Sequence, residues 1–172
     1  MRNIFWPFKK IMKLSKADDL RAFDCGNVDF NDFIINDALR DQAVGNSVTY
    51  LGLIKGRPVA YISLVSGAFQ TKSIERAHIG DYHYRQVPAI KIARLATDIH
   101  FQYQGCGSTL LEYSIAVARK IKEFVGCRLI VTDALSERIR WYCARGFLLS
   151  VGPSNQGTRE NSPMYQFLPP DF

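Results

Sequence analysis

The stretch that decides the fold runs from Pro88 to Phe124. It reads Pro88-Ala89-Ile90-Lys91-Ile92-Ala93-Arg94-Leu95-Ala96-Thr97, then Gln102-Tyr103-Gln104-Gly105-Cys106-Gly107, then Ser108 to Phe124. The first part is almost continuously apolar, as expected of a strand inside a sheet. The last part repeats Leu110, Leu111, Ile115, Ala118 and Ile121 on one face, which predicts a helix over 108–124. A helix that begins right after a glycine turn presents backbone N–H groups without intrahelical acceptors and the positive end of its dipole, and the two together bind phosphate. Gly105 and Gly107 let the main chain come close to an anion because they carry no side chain.

Spacing separates the phosphate-binding loops that use this physics. A Walker A loop needs Gly-Lys-Ser/Thr, whereas Gly107 is followed by Ser108-Thr109. A Rossmann fingerprint needs a third glycine at the start of its domain, and the sequence has neither.

Downstream, the sequence predicts a buried strand over Arg128–Thr132 and a helix from Glu137 to Arg145 that Gly146 stops. Strands follow at Phe147–Val151 and Met164–Leu168. Upstream, Lys10–Leu14 reads as an edge strand and Asp24-Cys25-Gly26-Asn27 as a turn. Asp29 is then the expected cap of a helix carrying Phe30, Phe33, Ile34 and Ala38 and ending near Gly45. Ser47–Ile54 and Pro58–Ser66, joined by Lys55-Gly56-Arg57, predict a hairpin. Gly67 to Val87 has no clear period and reads as a long loop with room for one helical turn, the kind of segment that often carries function. The order gives an α/β (α+β) mixed sheet with helices on its faces.

Composition sets the outer limits. A chain of 172 residues fits one domain, and 47% hydrophobic with 22% charged residues excludes a disordered or fibrous class. A net charge of +6 favours acidic partners such as phosphates or RNA. Cys25, Cys106, Cys127 and Cys143 form no C-x-x-C pair and have no matching histidine spacing, so no metal site and no disulfide framework is expected. The apolar run Phe5-Trp6-Pro7-Phe8 within Met1 to Lys13 is broken by Lys9 and Lys10, too short for a secretory segment, and nothing approaches 18 apolar residues in a row. A cytoplasmic protein without a membrane partner is the expectation.

The motif Gln102-x-x-Gly105-x-Gly107 resembles the Q/R-x-x-G-x-G/A loop of the GNAT superfamily of N-acetyltransferases. Two further segments match in register. Arg94-Leu95-Ala96-Thr97-Asp98 is similar to that family's fourth strand, and Trp141-Tyr142-Cys143-Ala144-Arg145-Gly146-Phe147, preceded by Asp133-Ala134, is similar to its Phe-Tyr-x-x-x-Gly-Phe segment. The resemblance implies a GNAT-like fold: a six- to seven-stranded, mostly antiparallel sheet with a central β-α-β-α-β unit and about four helices. It implies acetyl-CoA as co-substrate. Leu95, Ala96 and Thr97 would hold the acetyl carbonyl and pantetheine arm, and Gln102, Tyr103, Gln104, Gly105, Cys106, Gly107 and Ser108 the pyrophosphate. Asp133 joins this cofactor-binding set, and Tyr142 is the implied general acid. Phe23 to Phe33 also resembles the opening of a subgroup that includes toxins of toxin–antitoxin pairs, which acetylate the amine of aminoacyl-tRNA. Tyr103 stands where many relatives carry a glycine, and Trp141 where they carry a phenylalanine.

Acetyl transfer needs a neutral amine, a polarised thioester carbonyl and a proton for the departing thiolate. Glu75, Asp98 and His100 are base candidates by sequence proximity alone, and His78, His83 and His100 read first as solvated or hydrogen-bonded residues. Cys106 sits where a thiol pKa could be lowered, yet without a base partner it reads as passive. Arg138, Arg140 and Arg145, with Lys91, Arg94, Arg119, Lys120, Lys122 and Arg128, are either a solvated surface or a phosphate track for tRNA. The acceptor is left open between aminoacyl-tRNA and a small-molecule or protein amine. A non-catalytic CoA-binding module and a basic nucleic-acid adaptor stay as alternatives, with an antitoxin and a second copy of the chain as partners to test.

Overall fold

A computed structural model describes residues 7–8, 10–151 and 161–170. Phe5 and Trp6 of the N-terminal apolar run lie outside the described residues. Among the described residues, seven strands form one sheet in the order β1-β2-β3-β4-β5-β7-β6, the expected class, and they occur with four helical bodies.

β1 (Lys10–Lys13) is the expected edge strand and runs antiparallel to β2 (Val48–Ile54), Met12 opposite Leu51. β2 returns as β3 (Arg57–Gln70) through Lys55 and Gly56, whose φ values of 49° and 79° suit the two-residue hairpin turn that matches strand twist. The register shifts between Gly52 and Leu53. A Cβ on Gly52 would lie 2.5 Å from the Phe8 ring, so the glycine is what lets Phe8 lie buried on β2. Gly52→Ala is expected to push this ring off the strand at a cost of about 1–3 kcal/mol. Denaturant unfolding checks this, and unchanged stability would contradict the packing.

The first helical stretch corrects one expectation. Asn27, not Asp29, is the cap: its side chain accepts from the Phe30 amide at 3.2 Å, and its backbone is extended. Gly26, with φ +81°, turns the chain so that Asn27 takes this position, leaving Asp29 in the first turn, where the dipole favours it. α1 (Val28–Asp32) passes through a π-helical segment, Phe33–Asp37, into α2 (Ala38–Ala43). Phe33, Ile34 and Ala38 are buried with Leu14, Phe23, Leu51, Leu53, Tyr61 and Ala96.

The segment expected as a loop is shorter than its sequence suggests. β3 runs on to Gln70, a 3-10 turn follows at Thr71–Ser73, then α3 (Arg76–Ile79), and β4 (Gln86–Thr97) begins. β4 lies parallel to β5 (Leu129–Leu135), with Ala89 opposite Leu129 through Ile92 opposite Thr132. That register stops five residues before the end of β4. α4 (Cys106–Lys122) joins the two strands, and α5 (Ile139–Cys143), entered through a 3-10 turn at Ser136–Arg138, leads to β6 (Leu148–Leu149). β7 (Asn161–Phe167) inserts between β5 and β6, antiparallel to both. Chain order alone does not reveal this insertion.

The chain divides into two compact units, Met1–Val65 with Ala93–Ser114 and Ser66–Ile92 with Ile115–Phe172. The first has the core around Tyr61 just described. The second has its own, formed by Ile74, Ile79, Val87, Ala89, Leu129, Val131 and Tyr165. No helix among the described residues is long and apolar enough to cross a membrane.

Candidate active site

The glycine loop belongs to the first unit. At the end of β4, Ala96 is buried in that unit's core, while Leu95 and Thr97 are half-buried. The Thr97 carbonyl accepts a hydrogen bond from Gln102 Nε2 at 3.1 Å, and the Cys25 carbonyl accepts from the same atom at 3.3 Å. The motif glutamine therefore ties the base of the loop to the strand before it and to the turn before α1. Gln104 Nε2 donates to the His100 carbonyl at 3.0 Å.

Two residues of the loop take left-handed backbone, Tyr103 at φ 61° and Gly105 at φ 87°. Glycine adopts that region freely, whereas a side chain there costs about 1–2 kcal/mol. This accounts for the family's glycine at the position of Tyr103, whose ring is 95% exposed. The Gly105 carbonyl accepts from the amide and the hydroxyl of Thr109, at 3.0 and 3.1 Å, so the helix starts at Cys106, two residues before the expected Ser108. Gly107 and Ser108 thereby fall in its first turn, where backbone N–H groups point out of the helix end. The result is an anion-binding geometry on a 17-residue helix. Cys106 is buried, and burial pushes its thiol up, opposite to the lowering that a reactive thiol at a helix start would show.

Asp98, one of the base candidates, is a structural hub. Its carboxylate accepts from the His100 amide and ring Nδ1, both at 3.0 Å, from the Asp24 amide at 3.4 Å and from Arg57 at 3.3 Å, with the side chain 1% exposed. Burial pushes its pKa up, but the His100 and Asp24 hydrogen bonds and the Arg57 charge together outweigh burial and hold it below the ordinary carboxylate range. It is thus ionised and occupied. A carboxyl depressed by folding stabilises the protein above its unfolded pKa near ~3.9, and that stability is lost as pH falls through the folded value. Asp98→Asn is expected to cost about 2–4 kcal/mol at neutral pH and to flatten the stability loss below pH ~4. Urea unfolding across pH checks it; a parent-like acid limb would contradict the assignment.

Asp133 and Tyr142 belong to the second unit. Asp133 pairs with Lys91 across the parallel strands, Oδ2 to Nζ 2.6 Å, both side chains partly exposed. Tyr142, on α5, is 7% exposed and sits edge-on to Trp141 and Phe147, with ring centroids 4.9 and 5.2 Å away. Its phenol is hydrogen-bonded to the Thr132 side chain on β5. Burial raises its pKa, partly offset by that hydrogen bond and by the Arg138 charge, so the group is a neutral phenol at physiological pH. The packing that sequence reasoning weighed as an alternative to catalysis is present together with an oriented hydroxyl. Thr132, the orienting partner, carried no motif that could have revealed it.

The remaining candidates have other partners. Among the histidines, His78 Nδ1 lies 3.1 Å from the Tyr165 hydroxyl and His100 serves Asp98. Of the basic set, Arg94 stacks on Phe33, Arg128 on Tyr82 and Phe167, and Arg145 on Trp141; Lys120 pairs with Glu123 and Lys122 donates to the Pro169 carbonyl. Arg119, Arg138 and Arg140 are exposed. The phosphate track that the sequence left open against a solvated surface thus has most of its cations already engaged by rings, carboxylates or a carbonyl. Among the described residues, no cluster of His, Cys, Asp or Glu is placed to hold a metal, and all four cysteines are free thiols.

Comparison with known proteins defines the class first. A tyrosine-to-phenylalanine variant of KacT superposes with a TM-score of 0.82 at 20% identity, over 92% of this chain and 94% of that one. AtaT complexed with acetyl-methionyl-tRNAfMet gives 0.79 at 24% identity, over 90% and 92%. A tyrosine-to-phenylalanine variant of the AtaT toxin, bound to the C-terminus of the antitoxin AtaR and to acetyl-CoA, gives 0.73 at 22% identity over 92% of each chain. These likenesses establish the fold of the GNAT toxins. No protein-family model matches the chain. The sequence relationship is to the tRNA-acetylating toxin of Mycobacterium tuberculosis (strain ATCC 25618 / H37Rv), 30% identical over 146 residues, 83% of this chain and 85% of the relative. The chain belongs to this family of toxin-type GNAT acetyltransferases.

Proposed function

We propose that the chain transfers the acetyl group of acetyl-CoA to the α-amino group of an aminoacyl-tRNA, and that it is held inactive by an antitoxin. The observation that carries this reading is the 30% identity to a tRNA-acetylating toxin over most of both chains. AtaT, a structural neighbour, is known bound to acetyl-CoA and antitoxin and to an acetylated aminoacyl-tRNA. The reading places the protein in the cytoplasm, where charged tRNA is found.

In this mechanism the first turn of α4, from Cys106 to Ser108, with Gln102, Tyr103, Gln104 and Gly105 before it, holds the pyrophosphate through backbone N–H groups. Backbone groups of Leu95, Ala96 and Thr97 hold the pantetheine arm and polarise the thioester carbonyl. Asp133, paired with Lys91, is the acidic member of the cofactor-binding set. The neutral amine attacks the carbonyl carbon, the C–S bond breaks, the nitrogen loses its proton to water, and Tyr142 supplies a proton to the leaving sulfur. A phenol raised by burial is a weaker acid than a thiol, so Tyr142 acts by hydrogen-bonding the sulfur as charge develops and transfers its proton late.

The cellular test is expression without an antitoxin. Growth arrest with accumulation of N-acetylated aminoacyl-tRNA is expected. Unimpaired growth at high expression, with no acetylated aminoacyl-tRNA, would contradict the reading.

A further inference from the structure

The segment between β3 and β4 builds a cleft that the chemistry above does not use. One cavity of about 900 Å³ is lined by Lys72, Arg76, Tyr82, His83 and Arg85 among others, with Asp81 as its acid. A second, of about 800 Å³, shares Tyr82 and Arg85 and adds Tyr84. Each is within the roughly 300–1,000 Å³ of sites that take small organic groups. The walls are cationic and aromatic, a combination that suits phosphates and stacked bases.

The cleft is held in shape. The Thr71 amide donates to the Arg85 carbonyl at 3.0 Å, the Thr71 hydroxyl to the Tyr84 carbonyl at 2.7 Å, and the Tyr82 hydroxyl to the Gln86 carbonyl at 3.1 Å. Arg128 backs the Tyr82 ring at 5.1 Å, and Tyr84 stands edge-on to Tyr82 at 5.5 Å while remaining 73% exposed. A tyrosine so placed presents an open ring at little entropy cost. Glu75, the other acid of the segment, faces His78 at 3.8 Å and is absent from both cavity walls. The second unit's core ties the cleft to the catalytic tyrosine's surroundings: His78 meets Tyr165 on β7, and Met164 beside it pairs with Thr132, the partner of Tyr142.

We propose that this cleft is the docking site for a single-stranded RNA segment of the acceptor, with phosphates on Lys72, Arg76 and Arg85 and a base stacked on Tyr84. The inference rests on the tRNA reading above and adds where the RNA lies. Single-stranded ends are recognised by stacking and cationic contacts of this kind.

The probe is a short fluorescent single-stranded RNA, titrated against the whole protein. Three phosphate contacts predict a log–log salt slope of about −2, a roughly twenty-fold loss of affinity between 50 and 200 mM salt. Tyr84→Ala is expected to weaken binding roughly five-fold or more. Arg85→Glu is expected to weaken it at least as much and to reduce the salt slope by about 0.7. Acetyl-CoA binding reports that each variant is folded, and Lys16→Ala, an exposed cation of the first unit, should bind RNA like the parent. If Tyr84→Ala and Arg85→Glu both bind RNA as tightly as the parent, the site is wrong, even where charged tRNA is acetylated. If the RNA binds as described but no charged tRNA is acetylated, the proposed function is wrong and the RNA site stands.

Discussion

Tyr142→Phe is expected to lower kcat for acetyl transfer by about 10²–10³-fold, the usual worth of a positioned acid, while acetyl-CoA still binds. The fold should survive. The ring keeps its edge-on contacts with Trp141 and Phe147, and the substitution removes one hydrogen bond to Thr132, worth about 1 kcal/mol. Thr132 also retains its 3.4 Å bond to the Ile92 carbonyl. Because burial raises the phenol above its ordinary value near ~10, the pH profile of the parent should rise as the acceptor amine deprotonates and stay high past that value. Steady-state kinetics across pH checks both points. A variant with full turnover would remove Tyr142 from the mechanism and leave it a packing residue.

Gly105→Val is expected to weaken acetyl-CoA binding ten-fold or more. A Cβ at this glycine meets nothing within 4 Å, so the effect is conformational. At φ 87° a β-branched side chain is strained by about 1–3 kcal/mol, and the loop relieves the strain by abandoning the turn that aims the first N–H groups of α4. Calorimetric titration with acetyl-CoA reads the loss, and thermal melting should fall by a few degrees. Parent-like affinity would mean that the loop's shape does not matter for the donor.

Much of this architecture was legible because its signals are local. The apolar run before Gln102, the glycine turn and the amphipathic face of α4 each report a backbone state, and the Lys55-Gly56 turn reports its hairpin. The Tyr142 segment was readable only by likeness to a family, because nothing in its own period or composition marks a proton donor. Other features were hidden because their partners are far apart in sequence. Asp98 collects bonds from Asp24 and Arg57, 74 and 41 residues away, and nothing in its neighbourhood distinguishes a hub from a base. Asn27 displaced Asp29 as cap because Gly26 set the turn two residues earlier than side-chain preference suggested. The insertion of β7 between β5 and β6 is a matter of sheet pairing, which periodicity along one strand does not contain. The segment at Tyr82 to Gln86 was read as a loop without internal order because its order comes from Thr71, fourteen residues upstream of Arg85 and bonded to its carbonyl.

The central claim is acetyl transfer to the amine of charged tRNA, and the most direct measurement is mass spectrometry of the aminoacyl group after incubation with acetyl-CoA. With charged tRNA the protein should produce the N-acetyl-aminoacyl ester with release of one equivalent of CoA, and deacylated tRNA should give neither. Release of CoA with no acetylated aminoacyl group, or equal turnover on uncharged tRNA, would contradict the account.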